Sequence, residues 1–311
     1  MSPALQPPPL DPHTMALIRM AVREDLGHAS YGTTQGDITV ELAIPQALRG
    51  VATIVARKTG VISGTYLLPV ILREYQVGID CAILTPDSTR VAPNQAVAQI
   101  SGSVRMLLSA ERVLLNFMGH LSGIATLTRR YVNAVAGTHA QICDTRKTTP
   151  AYRVLDKYAV RCGGGANHRI GLYDGVMLKD NHLAALRLQL GQNQTLAALT
   201  RHIRDQLNPA ITLWLEVDTL EQLQEELAGT DGNSGAADIV LLDNMTTEQM
   251  QEAVHLRDQS KNRNQKAKLL EASGGITLDN VRAVAQTGVD RISIGALTHS
   301  APVLDLSMEL A

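Results

Sequence analysis

From Ser122 onward the chain alternates short apolar runs with amphipathic stretches. The runs AQICDT, DGVMLKDNH, TLWLEVD, DIVLLDN, LLEASGG and RISIGAL read as strands, each ending in a polar or glycine-rich tip. Short runs this apolar are the mark of strands covered by helices in a parallel sheet. The segments between them carry helix signals. Thr219 opens TLEQLQEELAG, with Gln222 in the capping-box position and Gly229 as the stop; Thr277 opens TLDNVRAVAQTG, with Gly288 as the stop. Tips recur about every 20 to 40 residues, the period of strand–helix units. A (β/α) barrel and an open doubly wound sheet both fit. Lys179, Glu216, Asp243, Ser273 to Gly275 and Gly295 each stand at a different strand end. Chemistry spread over several tips favours the barrel over the open sheet, which concentrates its contacts at one switch point. With six runs instead of eight, the barrel is expected to be incomplete.

Residues 12 to 106 follow another pattern. The helix PHTMALIRMAVREDLG is followed by the alternating stretches GVATIVARKTGVISG and RVAPNQAVAQISGSV, which predict a separate α+β domain. MLLSAERVLLNFMGHLSGIATLTRRYVNAVAG reads as helical, with a break at Gly119 to Gly123, where we place the domain boundary. The segments 229–238 and 257–268 look inserted, and are expected to be exposed loops or helix ends.

Composition narrows the function classes. A formal net charge of −2 argues against a general binder of nucleic acid or anionic membrane. VLLNFMGHLSGIATL comes nearest to a membrane span, and Asn116, His120 and Ser122 interrupt it. Cys81, Cys143 and Cys162 form no CxxC pair, which points to reduced thiols and a cytosolic setting. The N-terminal stretch lacks a basic segment followed by an apolar core, so no secretory leader is expected. Its prolines make residues 1–11 a flexible or extended arm.

One strand ends in CDTRKTTP, residues 143–150. Adjacent Arg146 and Lys147 repel each other, and a solvated loop is the ordinary explanation of such a pair. The stretch that follows, to His182, is net positive in a net negative chain. Arg153 and Lys157 are best explained as a solvated helix face. Arg146, Lys147, Lys179 and the His168–Arg169 pair instead sit at tips or in glycine-flanked loops, and cations converging on one rim call for an anionic ligand. GGG at 163–165 is read as a plain turn. The tips SGG (273–275) and SIGA (293–296) occupy the usual phosphate position of a barrel, although tight packing turns explain them equally well. Glu216 and Asp243 could partner nearby cations or together hold Mg²⁺. The His/Cys spacing of a zinc site is absent. The residues thus point to a polyanionic substrate and a second, phosphorylated one used with Mg²⁺.

At these positions the sequence resembles the quinolinate phosphoribosyltransferase family. The resemblance is carried by ERVLLNFMGHLSGIAT, DTRKTTPAYRVLDKYAVRCGGGANHRIGLYDGVMLKDNH, LEVDTLEQL, DIVLLDNM, LLEASGGITLDNV, VDRISIGALTHSAPVLDLS and REDLGHASYGTTQGDIT. It implies transfer of a phosphoribosyl group from 5-phosphoribosyl-1-diphosphate (PRPP) to quinolinate with decarboxylation, giving nicotinate mononucleotide for NAD synthesis. The dense cationic tip would then meet the two adjacent carboxylates of quinolinate. By the same resemblance Thr145, Arg146, Lys147, His168, Arg169 and Lys179 would bind quinolinate and the PRPP phosphates. Lys147, Glu216 and Asp243 would act in catalysis, the two acids holding Mg²⁺ and the ribose hydroxyls. Ser273, Gly274, Gly275, Ser293, Gly295 and His299 would surround the 5-phosphate. Arg112 would be donated across a homodimer interface, and both a dimer and a hexamer of such dimers fit the resemblance. The implied fold is an N-terminal α/β-sandwich domain over 12–118, with the tail 298–311 packed on it, and an incomplete α/β barrel over 119–297 that carries catalysis. No nucleic acid or membrane partner is expected, and the location is cytoplasmic.

Three competing readings remain at this point. The molybdenum-transport-associated paralogue shares the fold and much of the basic motif, but the set Arg112, Arg146, Lys147, His168, Arg169 and Lys179 favours quinolinate. A Schiff-base aldolase would use Lys179 as its amine. A non-catalytic binding protein on the same scaffold would not need acids at two tips.

Overall fold

The computed structural model describes residues 5–27, 36–75, 79–228, 234–260 and 268–311. In chain order the elements are α1 (Pro12–Leu26), α2 (Ile38–Ala43), β1 (Arg49–Ala56), β2 (Gly60–Val61), α3 (Leu68–Tyr75), β3 (Asp80–Ile83), β4 (Arg90–Val91), β5 (Ala96–Ser103) and α4 (Val104–Ala134). There follow β6 (Gln141–Cys143), α5 (Arg153–Cys162), β7 (Val176–Leu178), α6 (Asp180–Leu190), α7 (Leu196–Arg204), β8 (Leu213–Val217), α8 (Leu220–Ala228), β9 (Ile239–Asp243), α9 (Thr247–Gln259), β10 (Leu269–Ser273), α10 (Val281–Gln286), β11 (Arg291–Ser293), α11 (Ala296–His299) and β12 (Leu306–Leu310). They form two compact units. One holds residues 1–129, 147–165 and 296–311; the other holds 130–146 and 166–295.

In the first unit, an antiparallel sheet runs β12-β1-β5-β3. The C-terminal strand β12 lies along β1, with Ile54 opposite Met308. Asp11 caps α1 by accepting from the Thr14 N–H, and Asp37 caps α2 through the Val40 N–H. Leu5 of the proline-rich arm packs against a core cluster of Val61, Ala125, Tyr158 and Cys162.

α4 corrects the expected helix break. Gly119 and Gly123 lie within one continuous helix. Their missing side chains admit another backbone: a Cβ on Gly123 would overlap the Pro302 carbonyl, and the Leu304 N–H donates to the Gly119 carbonyl at 3.0 Å. The glycines are there for close approach and do not break the helix. The boundary expected at 118/119 therefore falls inside α4. On α5, Lys157 is 3% exposed, so its expected solvation is also corrected. Leu155 through Val160 are all buried, so this helix has no wide solvent face there. The GGG segment is a turn, with Gly164 at φ +90° and Gly163 against the Ala125 carbonyl.

In the second unit, a parallel sheet runs β6-β11-β10-β9-β8-β7. All the strands expected from the apolar runs are present, and the sheet is an incomplete α/β barrel. Its two faces differ sharply. Alternation and register put Trp214 and Glu216, Leu241 and Asp243, Glu271 and Ser273, and Arg291 and Ser293 on one face. The other face carries Ile142, Leu215, Val217, Val240, Leu242, Leu270, Ala272 and Ile292, each at most 3% exposed. The chain thus gives one face wholly to packing and the other to polar groups.

Two expectations need correction in this unit. The α10 helix starts at Val281, not at Thr277, whose N–H is taken by the Asn280 side chain. Of the segment 229–238, residues 229–233 lie outside the described residues, but Gly235 and Ala237 are buried instead of exposed. The cause is Glu226, itself fully buried, which accepts from the Ala237 N–H at 3.0 Å, Thr200 Oγ1 at 2.9 Å and Lys268 Nζ at 3.0 Å. Of the segment 257–268, residues 261–267 lie outside the described residues, and Arg257 is buried and donates to Asp290.

Candidate active site

The first residue of the cationic tip is an anchor. Asp144, just past β6, is fully buried. Its carboxylate accepts from the His168 N–H at 2.7 Å and from the Asn167 side-chain amide at 2.6 Å. Its own N–H donates to the Ala166 carbonyl, and Cys143 bridges Ala166 in parallel. These bonds bring the segment carrying His168 and Arg169 beside the tip carrying Thr145 and Arg146.

His168 is held through its ring face and through Nδ1. Its ring stacks on Trp214 at 4.5 Å between centroids. Nδ1 accepts from the Arg169 N–H at 2.7 Å, so the proton of the neutral ring sits on Nε2. Nε2 lies 3.5 Å from Glu271 Oε1. Arg169 in turn donates through Nη1 to the Gly175 carbonyl at 2.8 Å, and Asp174 ties the intervening loop by accepting from the N–H groups of Ile170 and Gly171. Gly175 is required here, since a Cβ would sit 2.7 Å from the Trp214 ring. Burial, and after it the like charge of Arg146, push the Arg169 guanidinium below its ordinary range. Cationic side chains on two segments tied together in this way suit an anion with two acceptors.

The neighbouring tips add acids and turns. Lys179 caps α6 and its Nζ is paired with Glu216 Oε2. The Lys179 side chain is 43% exposed and salt-bridged, unlike the desolvated amine a Schiff-base enzyme needs. Asp243, at the end of β9, accepts from the Asn244 side-chain amide at 2.7 Å. Ser273 aligns with Asp243, and its carbonyl accepts from the Asn244 N–H. Gly274 and Gly275 follow at φ +93° and +60°. A Cβ on Gly274 would overlap the Asn244 side chain, whereas Gly275 faces open space. Ser293 is buried and its hydroxyl donates to Glu271, and Gly295 lies in the turn before α11. Cys143, in the same tip region, is no nucleophile: burial pushes its thiol up to about 12.

The second unit thus gathers Thr145, Arg146, His168, Arg169, Lys179, Glu216, Asp243, Ser273, Gly274, Gly275, Ser293 and Gly295 at the ends of one parallel sheet. Arg112, Lys147 and His299 belong to the first unit. Arg112 is exposed on the mostly buried α4. The Lys147 carbonyl accepts from Thr298 Oγ1 at 2.8 Å, and His299 Nδ1 lies 2.6 Å from Ser300 Oγ. The sequence reading missed Glu271, Trp214 and the anchoring role of Asp144. A lone acid inside the apolar run LLEAS was the available signal for Glu271.

Among groups of His, Cys, Asp and Glu in the described residues, none with three or more members could hold a metal ion. The donor set at Glu216 and Asp243 is instead two carboxylates, which suits a hard ion that keeps water and shares substrate oxygens. No described helix is long and apolar enough to cross a membrane.

Two family models cover most of the chain: the N-terminal domain of quinolinate phosphoribosyl transferase over residues 37–122, and its C-terminal domain over 124–309. The chain is 40% identical over 296 residues to the carboxylating nicotinate-nucleotide pyrophosphorylase of Mycobacterium leprae, covering 94% of this chain and 95% of that one. It is also 40% identical over 290 residues to a probable enzyme of the same name from Synechocystis, covering 92% and 89%. The structure of the nicotinate-nucleotide pyrophosphorylase from Francisella tularensis superimposes with a TM-score of 0.82 at 32% identity, over 97% of this chain and 98% of that one. With both family models matched along most of its length and a relative 40% identical over 296 residues, the chain belongs to the quinolinate phosphoribosyltransferase family.

Proposed function

We infer that the chain is a carboxylating nicotinate-nucleotide pyrophosphorylase, which joins quinolinate to PRPP and releases pyrophosphate and CO₂ to give nicotinate mononucleotide. The observation that carries this reading within the site is the tie made by buried Asp144, which holds the segment carrying Arg169 beside the tip carrying Arg146. It matches a rigid substrate with two adjacent carboxylates. Incubation with quinolinate, PRPP and Mg²⁺ tests it: labelled CO₂ and nicotinate mononucleotide should form together, and no product from a folded preparation overturns the reading.

The residue roles follow from charge and position. Thr145, Arg146, His168, Arg169 and Lys179 bind and orient the quinolinate carboxylates and the PRPP phosphates. Gly274 and Gly275, with Ser273, Ser293, Gly295 and His299, accommodate the 5-phosphate. As the bond from ribose C1 to the diphosphate breaks, positive charge grows on the sugar. The carboxylates of Glu216 and Asp243 stabilise that charge and orient the ribose hydroxyls. The quinolinate nitrogen attacks C1, which makes the ring nitrogen cationic. The C2 carboxylate can then leave as CO₂, with its bonding electron pair remaining on C2. Lys147 stabilises this carbanion or guides the proton that replaces CO₂. Mg²⁺, held by Glu216 and Asp243 together with diphosphate oxygens, would neutralise the leaving group.

The working assembly is a homodimer in which Arg112 reaches the partner's quinolinate. Its exposure on α4 leaves Arg112 available to a partner. The enzyme works in the cytoplasm, as the free thiols of Cys81, Cys143 and Cys162 suggest.

A further inference from the structure

Glu271 is a buried carboxylate of the second unit that accepts three hydrogen bonds, and no step of the transfer employs it. It is fully buried. Oε2 accepts from Arg291 Nε at 2.8 Å and from Trp214 Nε1 at 3.3 Å. Oε1 accepts from the Ser293 hydroxyl and lies 3.5 Å from His168 Nε2. The Arg291 guanidinium neutralises it. A buried ion pair adds little net stability, since the desolvation of both charges opposes their attraction, and apolar replacements are often as stable. What an ion pair with extra donors does provide is a fixed geometry.

The donors Arg291, Ser293 and Trp214 come from two strands, and the nearby His168 ring comes from a loop. Arg291 and Ser293 lie on β11, Trp214 lies on β8, and His168 lies in the loop anchored by Asp144. Through Nδ1, His168 also fixes the main chain of Arg169. The contacts therefore run from Glu271 to the His168 ring, across 3.5 Å and without a hydrogen bond, and on to the Arg169 N–H that Nδ1 accepts.

We propose that Glu271 is a positioning residue of the anion site, holding Ser293 directly and Arg169 through His168. The proposal rests on the phosphoribosyl-transfer reading above. It is tested by steady-state kinetics and thermal melting of Glu271→Gln, His168→Ala, the double variant and Arg291→Gln. The wild type is assayed first, and its failure to form nicotinate mononucleotide would end the transfer reading itself. Given an active wild type, Glu271→Gln should raise the quinolinate KM about tenfold or more. Arg291→Gln breaks the same ion pair but leaves His168 and Ser293 untouched, and should raise it less than threefold at a comparable loss of melting temperature. In the His168→Ala background, Glu271→Gln should change the quinolinate KM less than threefold, because the contact through the His168 ring is already gone. Equal effects of Glu271→Gln and Arg291→Gln, or full multiplication of the two single effects in the double variant, would overturn the proposal. If Glu271→Gln does not fold, Trp214→Phe replaces it in the same cycle, since it removes one donor to Glu271 and keeps a ring beneath His168; the same non-multiplicative result is expected, and multiplication again refutes it.

Discussion

Lys179 and Glu216 are salt-bridged at the ends of the adjacent strands β7 and β8. The cation expected to hold a substrate anion is thus occupied by the acid expected to act on the ribose. On the proposed roles, substrate binding would divide this pair, with the carboxylate turning to ribose and the ammonium to the incoming anion. Glu216→Gln should therefore separate two quantities. Turnover should fall by about 100-fold or more, because a group stabilising transition-state charge is gone. Quinolinate affinity, measured by calorimetry, should stay level or rise, because Lys179 loses its competitor. Parallel loss of both would show that Glu216 supports substrate binding and not the transition state.

Arg146→Ala should weaken quinolinate binding by about 2–3 kcal/mol, the worth of a charge-assisted hydrogen-bond pair. It should not lower the melting temperature of the free protein, since it also relieves the repulsion on Arg169. Functional sites commonly hold such stored strain. A melting temperature lowered by several degrees with unchanged affinity would mark Arg146 as structural.

Much of this site could be read from the chain because tips are where apolar runs stop. Lys179, Glu216, Asp243 and Ser273 each end such a run, and the parallel sheet brings the ends together. Glu271 could not be interpreted in the same way. It stands inside a run, and its partners Arg291, Trp214 and His168 meet it only through strand register and a distant loop. Lys157 was misjudged because helical period identifies a polar stripe but not whether that stripe faces water. Gly119 and Gly123 were misjudged because composition does not separate a glycine that ends a helix from one that lets another segment lie against it.

Gly235→Ala tests the buried network around Glu226. A methyl group at this position would overlap the Glu226 carboxylate. Thr200, Lys268 and the Ala237 N–H fix that carboxylate, so it has little freedom to yield. Overpacking of this kind costs about 1–3 kcal/mol, which denaturant titration should detect as a lower midpoint. Gly235 precedes β9 at the end opposite the catalytic tips, so KM values should not move.

Arg112 is testable by mixing. Arg112→Ala and Arg146→Ala chains should each be nearly inactive alone. If Arg112 acts in the partner's site, a hybrid dimer has one site lacking both arginines and one lacking neither. Random subunit exchange makes about half of the dimers hybrid, so up to about a quarter of wild-type activity should return. Verified hybrids with no recovered activity would refute the trans role.

The pairing of β12 with β1 sets an order on biosynthesis. The first unit takes in residues from the start of the chain and from 296–311, with the whole second unit made in between. Until Leu310 leaves the ribosome, β1 has only one strand beside it, and Gly119 and Gly123 on α4 have nothing lying across them. An open strand edge next to an uncovered helix groove invites pairing with another nascent chain. The second unit, whose sheet needs only residues 141–293, can complete its strand pairing first. In vectorial synthesis the unit that begins the chain is therefore the last to close, and a stop codon just before β12 would leave every molecule with that edge open.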